Sequence, residues 1–250
     1  MSPISQIKIL IVDDEEDILE ILENAFQMFG FQVKTALSGN KAIEILKSYP
    51  ADTVISDIRM PDGDGLVLLD YIKSKNVHSP TVFFLSGFTD HPQDKLFHLG
   101  IDGFFSKPFN ASEIRTTLEK SQKETKNRWI EKHVHLEPVL DLEFSVDSLS
   151  PQSKDPNFQM GRGGFFFATE QTLPLSPLDL IRFQITILDK RPCSKIIGVG
   201  QVRWTRTEPS SMGPKGVGIE IYNLDSSCIE DFCQWHSNID IRPYIPSSTI

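Results

Sequence analysis

Cysteine is scarce in this chain. Its three residues, Cys193, Cys228 and Cys233, are too few and too unevenly placed for a disulfide framework. Cys228 and Cys233 have no second pair to supply the roughly four ligands of a structural zinc site, so they read as free or half-buried thiols. No apolar run approaches the roughly 18 residues that a membrane span requires. Met1 to Lys8 lack the apolar core of a signal peptide. The expectation is a soluble, cytoplasmic protein with no membrane insertion. Positive charge is also short: 25 Lys and Arg stand against 34 Asp and Glu, a net charge of −9. That balance disfavours DNA binding through a basic face.

What is present fits ordinary globular domains. The 250 residues, 39% of them hydrophobic, predict one or two domains with normal cores. The charge is uneven. Residues 1–122 carry −7, residues 123–132 carry +2, and residues 133–250 carry −4, so a short basic segment separates two acidic ones.

The first half alternates strand and helix patterns. Ile7-Lys8-Ile9-Leu10-Ile11-Val12 is a near-continuous aliphatic strand, as expected when both sheet faces are covered. Ile18, Ile21, Leu22, Ala25, Phe26 and Phe29 then recur at helical spacing until Gly30. A weaker strand covers residues 31–36, and Ser38 caps a second helix. Val54-Ile55-Ser56-Asp57 is a short buried strand that runs into a loop broken by Pro61, Gly63 and Gly65. Strands are also predicted at residues 80–86 and 103–106, with helices at 66–72, around Leu96-Phe97, and from Ala111. Strands alternating with helices imply βαβ units and a parallel sheet.

The strand ends carry the chemistry. Strand one ends at Asp13-Asp14, strand three at Asp57, strand four at Ser86 and strand five at Lys107. In a parallel sheet all of these lie on the carboxyl rim, where open α/β folds keep their ligands. Three carboxylates gathered there call for a hard cation, and Mg²⁺ takes oxygen ligands. A lysine and a hydroxyl facing that metal suit a phosphoryl group.

On these residues the stretch from about 7 to 122 resembles the receiver domain of two-component response regulators, a flavodoxin-like fold with a five-stranded parallel α/β sheet. The resemblance implies that Asp57 is the phospho-acceptor and attacks the phosphohistidine of a sensor histidine kinase or phosphotransfer protein. It implies that Asp13, Asp14, Asp57 and the backbone carbonyl of Arg59 hold Mg²⁺, which offsets phosphoryl charge. Lys107 would pair with the phosphoryl oxygens and Ser86 would donate its hydroxyl as the switch. Pro108 would follow a cis peptide bond. The switch aromatic falls at Phe104, where tyrosine is common; phenylalanine keeps the ring and drops the hydroxyl. No outside substrate is implied, so the chain is not read as an enzyme beyond its own phosphorylation and dephosphorylation at Asp57.

Between Ala111 and about His133 there is no Gly or Pro, and the apolar seam is thin. The last receiver helix is therefore expected to extend through residues 123–132 as a solvated linker, or to form a helical contact in a homodimer.

From His133 the pattern changes to β. Residues 138–146 alternate apolar and polar, as do 178–188, and further strands fit 163–169, 196–205 and 217–221. Ser226 caps a last helix with Ile229, Phe232 and Trp235. Short strands with glycine turns suggest a small barrel. Gly163-Gly164-x-Phe166, Leu173-Pro174-Leu175, Val202-Arg203-Trp204 and Gly216-Val217-Gly218-Ile219-Glu220 follow the order seen in PilZ domains. That resemblance implies a mainly-β, six-stranded barrel with a C-terminal helix over residues 133–238, a tail at 239–250, and a site for cyclic di-GMP.

The family's ligand motifs are altered here. Arg128 has a matching partner in Lys132, not a second arginine, and lysine lacks the planar fork. Gln159 stands where Asp or Asn belongs and Gly161 where Ser belongs, with Gly164 as the last glycine of the turn. Each lost buried hydrogen bond costs about 1–3 kcal/mol, so three departures are enough to remove micromolar affinity. Arg162, reaching a phosphate from the turn, and Gln159 are the residues able to compensate. Two readings therefore stand: a PilZ-type output that binds cyclic di-GMP, or a nucleotide-blind barrel that contacts a downstream protein target.

Overall fold

A computed structural model of the chain describes residues 7–76, 79–87, 92–122, 128–129, 137–147, 157–188, 195–211, 213–237 and 244–245. The chain divides into two compact units: Met1–Pro92 with Leu99–Gln122, and Gln93–His98 with Lys123–Ile250.

The first unit is built on a five-stranded parallel sheet in the order β2-β1-β3-β4-β5. Its strands are β1 (Lys8–Val12), β2 (Gln32–Ala36), β3 (Thr53–Asp57), β4 (Thr81–Ser86) and β5 (Gly103–Ser106). The interior strands β3 and β4 are buried at every position, their polar end residues Thr53, Asp57, Thr81 and Ser86 included, as expected where both sheet faces are covered. Strand β2 lies at the edge and buries little besides Ala36, which explains its weaker pattern. Helix α1 (Glu16–Met28) turns Leu19, Leu22 and Phe26 inward, a spacing of three and four residues. These pack with Ile9, Ile11, Ile55, Phe83 and Leu85, and with Ile114 and Leu118 of α5 (Ala111–Gln122).

Helices α2 (Gly39–Leu46) and α3 (Gly65–Lys75) begin at side-chain caps. Ser38 Oγ accepts from the Lys41 N–H and Asp64 Oδ1 from the Val67 N–H. The loop that leaves Asp57 is pinned to the start of α2. Gly39 N–H donates to Gly63 O at 2.8 Å, while Ser38 Oγ and Asn40 Nδ2 donate to the two oxygens of Asp62. Asp62 and Gly63 both adopt positive φ, 59° and 93°. At Gly65 the chain passes so close to the end of β3 that an added Cβ would stand 2.4 Å from the Asp57 carbonyl oxygen.

The second unit carries an open, curled six-stranded sheet in the order β6-β9-β10-β11-β8-β7. Its strands are β6 (Leu140–Val146), β7 (Phe158–Met160), β8 (Gly164–Ala168), β9 (Leu180–Ile187), β10 (Lys195–Arg206) and β11 (Gly216–Leu224). The expected mainly-β, six-stranded barrel with a C-terminal helix takes the form of a curled half-barrel. Strand β6 pairs parallel to β9, and among the described residues no ladder joins the edge strands β6 and β7. Aromatic side chains cover the gap instead: Phe144 of β6 stacks on Phe167 of β8 at 4.1 Å and meets Phe158 of β7 at 5.9 Å. Helix α6 (Ile229–Ser237) adds Phe232 and Cys233 to this core.

Two further differences concern the middle of the chain. Trp129, placed by its sequence in a solvated linker, is fully buried in the second unit's core, 5.2 Å from the Phe232 ring. The short helix α4 (Gln93–His98) groups with the second unit, where Asp94 pairs with Arg206 at 2.9 Å. A local reading cannot see a partner 112 positions away. Residues 123–127 and 130–132, and with them the linker helix, the dimer contact and Lys132, lie outside the described residues, as does Cys193. No helix among the described residues is long and apolar enough to cross a membrane.

The close approach at Gly65 yields a test. Gly65→Ala should lower the first unit's unfolding free energy by about 1–3 kcal/mol, the usual cost of overpacking against fixed backbone. Urea titration of the full chain measures it; an unchanged midpoint would mean that Asp57 and Gly65 do not meet this closely.

Candidate functional site

The sheet is parallel, so the strand ends of β1, β3, β4 and β5 share one rim. Asp13 follows β1 directly and is 1% exposed; Asp57 ends β3 and is 7% exposed. Lys107 follows β5. Its Nζ lies 3.0 Å from Asp13 Oδ2 and 3.0 Å from Asp57 Oδ1, so one amine bridges two buried carboxylates. The second oxygen of each carboxylate accepts from backbone: Asp13 Oδ1 from the Glu15 N–H at 3.0 Å, Asp57 Oδ2 from the Arg59 N–H at 2.8 Å. Glu15 Oε1 stands 3.9 Å from the same amine. Sequence reasoning passed over Glu15, although the acidic run Asp13-Asp14-Glu15-Glu16-Asp17 signalled it.

The remaining predicted residues are placed as follows. Ser86 is buried at the end of β4, and its carbonyl accepts from the Lys107 N–H at 2.9 Å, which ties the two residues together. Asp14 is exposed beside Asp13. Phe104 is half-buried on β5, its backbone opposite Phe84. The peptide bond between Lys107 and Pro108 is cis.

The electrostatics show a cation deficit. Burial raises the pKa of Asp57; Lys107 and the Arg59 N–H pull it down, Asp13 adds to the rise, and the net direction is up. Burial lowers the pKa of Lys107, but its bonds to Asp13 and Asp57 outweigh that and hold it raised, so the amine stays charged. One amine thus leaves Asp57 under-compensated. Carboxylates at Asp13, Asp14 and Asp57 are hard oxygen donors, the kind Mg²⁺ takes. Asp13 and Asp57 supply such oxygens on one rim, but no cluster of three or more His, Cys, Asp or Glu able to hold a metal ion is formed among the described residues.

Residues 9–119 match the family model of the response regulator receiver domain. This stretch is a receiver domain. Response regulator SaeR of Staphylococcus aureus strain USA300 is 30% identical over 146 residues, 58% of this chain and 61% of that protein. The match therefore spans about three fifths of such relatives' length. Among solved structures, the chemotaxis response regulator CheY4 of Vibrio cholerae is 26% identical, with a TM-score of 0.42 over 46% of this chain and 98% of that one. Response regulator TrrA of Thermotoga maritima, solved in complex with Mg(2+)-BeF, is 30% identical, with a TM-score of 0.43 over 46% of this chain and 99% of that one.

The receiver's acidic rim is one candidate site; the second unit holds the other. There the turn from β7 to β8 gathers Arg162 and Gly164 near Arg128, whose Nη1 donates to Arg162 O at 2.5 Å. Gly164 is pressed on β11: a Cβ there would stand 2.0 Å from Ile219 O, so this glycine serves strand packing. Gln159 is half-buried on β7, its backbone opposite Phe166. Sequence reasoning missed His236, whose Nε2 donates to Gly161 O at 3.0 Å, and the buried pair of Arg203 with Glu220. It also missed Tyr244, whose ring lies 5.8 Å from the Arg128 guanidinium.

His236 gives this turn a pH signature. Burial drives its pKa down to about 4, with Arg128 adding to the drop and the Gly161 hydrogen bond opposing it. The unfolded chain has the ordinary value near ~6.5. Protons are therefore taken up on unfolding, and stability falls as pH drops from about 6.5 through about 4, by about 3 kcal/mol in full. Between pH 7 and pH 4.5 the native protein should lose about 2 kcal/mol more than His236→Gln, which keeps a donor but does not titrate. Equal losses in denaturant titrations would remove His236 from this role.

Proposed function

We propose that the chain is the response regulator of a phosphorelay, phosphorylated on Asp57 by a sensor histidine kinase or phosphotransfer protein. The observation that carries this reading is the single Lys107 amine held between Asp13 and Asp57. An Asp57 oxygen attacks the phosphohistidine phosphorus, the phosphorus–nitrogen bond breaks, and the imidazole leaves with the electron pair. Asp57 then carries an acyl phosphate. Asp13, Asp14, Asp57 and the Arg59 carbonyl are the residues that would hold Mg²⁺, which when bound supplies charge neutralisation for the phosphoryl. Lys107 pairs with phosphoryl oxygens, the Ser86 hydroxyl donates to one, and the Phe104 ring adjusts as the switch. The chemistry is directed at the chain's own Asp57, so no outside substrate is turned over.

The second unit is the output in this reading, a PilZ-type module. In the state described here Arg128 is engaged by Arg162 O and the ring of Tyr244. That engagement supports contact with a downstream protein over resting occupancy by cyclic di-GMP. Asp57→Asn should abolish covalent labelling by acetyl phosphate with Mg²⁺, read as an intact-mass shift, while leaving the fold in place. Labelling that survives would overturn the acceptor assignment.

A further inference from the structure

The loop from Ile58 to Asp64 joins β3 to α3. It is closed at its base, where the Gly65 N–H donates to Ile58 O at 2.9 Å. Inside that closure the Arg59 N–H donates to Asp57 Oδ2 at 2.8 Å. The other oxygen, Oδ1, is the one beside the Lys107 amine. The direction of the Asp57 carboxylate is therefore set on one side by an amine and on the other by the peptide that joins Ile58 to Arg59.

The tip of the same loop is clamped to the start of α2 through one carboxylate. Asp62 Oδ1 accepts from Asn40 Nδ2 at 2.9 Å and Oδ2 from Ser38 Oγ at 3.1 Å. The Ser38 oxygen accepts from the Lys41 N–H at 3.2 Å, which leaves its own proton for Asp62. Bonds from Asn40 and then Ser38 hold Asp62 below the ordinary carboxylate range, so both its oxygens accept at neutral pH. Backbone doubles the clamp: the Gly39 N–H donates to Gly63 O at 2.8 Å and the Asn40 N–H to Asp62 O at 3.3 Å. The approach is close, since a Cβ on Gly39 would stand 2.5 Å from Gly63 O. Asp62 reaches its partners at φ 59°, a left-handed conformation that burdens any residue with a Cβ and that Asn and Asp tolerate best. Its side chain is exposed, so burial does not explain the choice of residue. Nor does capping of α2, which Ser38 performs.

We propose that Asp62 is a positioning residue for phosphorylation: by fastening the loop tip to Ser38 and Asn40 it fixes the Arg59 N–H, and with it the direction in which Asp57 presents its oxygens to the phosphoryl donor. Asp62 acts through Arg59 and touches no reacting atom. A nucleophile displaced by about an ångström loses up to about 100-fold in rate, so a loop that holds its tip loosely slows the reaction without unfolding the domain. The base of the loop keeps its own closure at Gly65 when the tip is freed. This inference rests on reading Asp57 as the phospho-acceptor.

The test uses the full chain and two readouts. Labelling by acetyl phosphate with Mg²⁺ is followed by intact mass, and initial rates are expressed per folded molecule from the near-ultraviolet circular dichroism. Asp62→Gly keeps the left-handed backbone and removes the carboxylate; Asp62→Asn keeps an acceptor oxygen as well. Asp62→Gly should lower the rate at saturating acetyl phosphate about tenfold and leave the half-saturating concentration within about twofold, and Asp62→Asn should recover most of the loss. In parallel, hydrogen exchange at the Arg59 amide should accelerate about tenfold in Asp62→Gly while the β1 and β3 amides keep their native rates, whereas a merely structural role would move all of them together. If Asp62→Gly loses the fold, Asn40→Ala, which removes one donor to the same carboxylate, replaces it and should slow labelling in the same way. A native labelling rate in the clamp variant would overturn the inference and leave the acceptor reading standing. Equal slowing in Asp62→Gly and Asp62→Asn would overturn the hydrogen-bonded clamp as the cause. A native chain that takes no label at Asp57 would overturn the acceptor reading and this inference with it.

Discussion

Everything in the receiver turns on one charge balance, the Lys107 amine shared by two buried carboxylates. Neither Asp13 nor Asp57 is exposed enough for water to stabilise it alone, and each has an oxygen 3.0 Å from that amine. Removing one member of such a set leaves a buried charge without compensation, which is far more costly than losing a surface pair. The parallel sheet makes the arrangement possible. Three strands that run in one direction bring residues 13, 57 and 107 to one rim, and the Gly39, Gly63 and Gly65 contacts fix where β3 stops.

The balance is incomplete by design of its donor set. Asp57 remains raised in pKa despite its amine partner, chiefly through burial, so the pocket favours added positive charge beside it. The same incompleteness links fold and function: the residues that strain the rim electrostatically are those that suit phosphoryl transfer. In the second unit the opposite condition holds. Trp129, Phe232 and His236 close over one another, Arg128 is engaged by the Arg162 carbonyl and the Tyr244 ring, and Arg203 by the Glu220 carboxylate.

How much of this was legible in the sequence follows from how local each signal is. An aliphatic run ending in Asp, Ser or Lys announces a strand and its chemical tip within six residues, so the receiver's sheet and the strand-end positions of Asp13, Asp57, Ser86 and Lys107 could be read directly. The Ser38 cap was equally local. What could not be read were partners set by tertiary structure. Nothing near Trp129 says that it leaves a polar segment for a core with Phe232. Alternating strands predict a curled sheet but not whether its edges meet, and among the described residues β6 and β7 meet through Phe144 and not through a ladder. Tyr244 looked like tail; the signal present was an aromatic between Pro243 and Pro246, with Gly163 as a slot of matching size.

A double-mutant cycle on Lys107 and Asp57 tests the central interaction most directly. Unfolding free energies are measured in urea at neutral pH, in chelator, for the native chain, Lys107→Met, Asp57→Asn and the pair. If one amine holds two buried carboxylates, Lys107→Met costs about 2–4 kcal/mol in the native background, and at least ~1 kcal/mol less once Asp57 is already neutral. Identical losses in both backgrounds would contradict the shared-amine account.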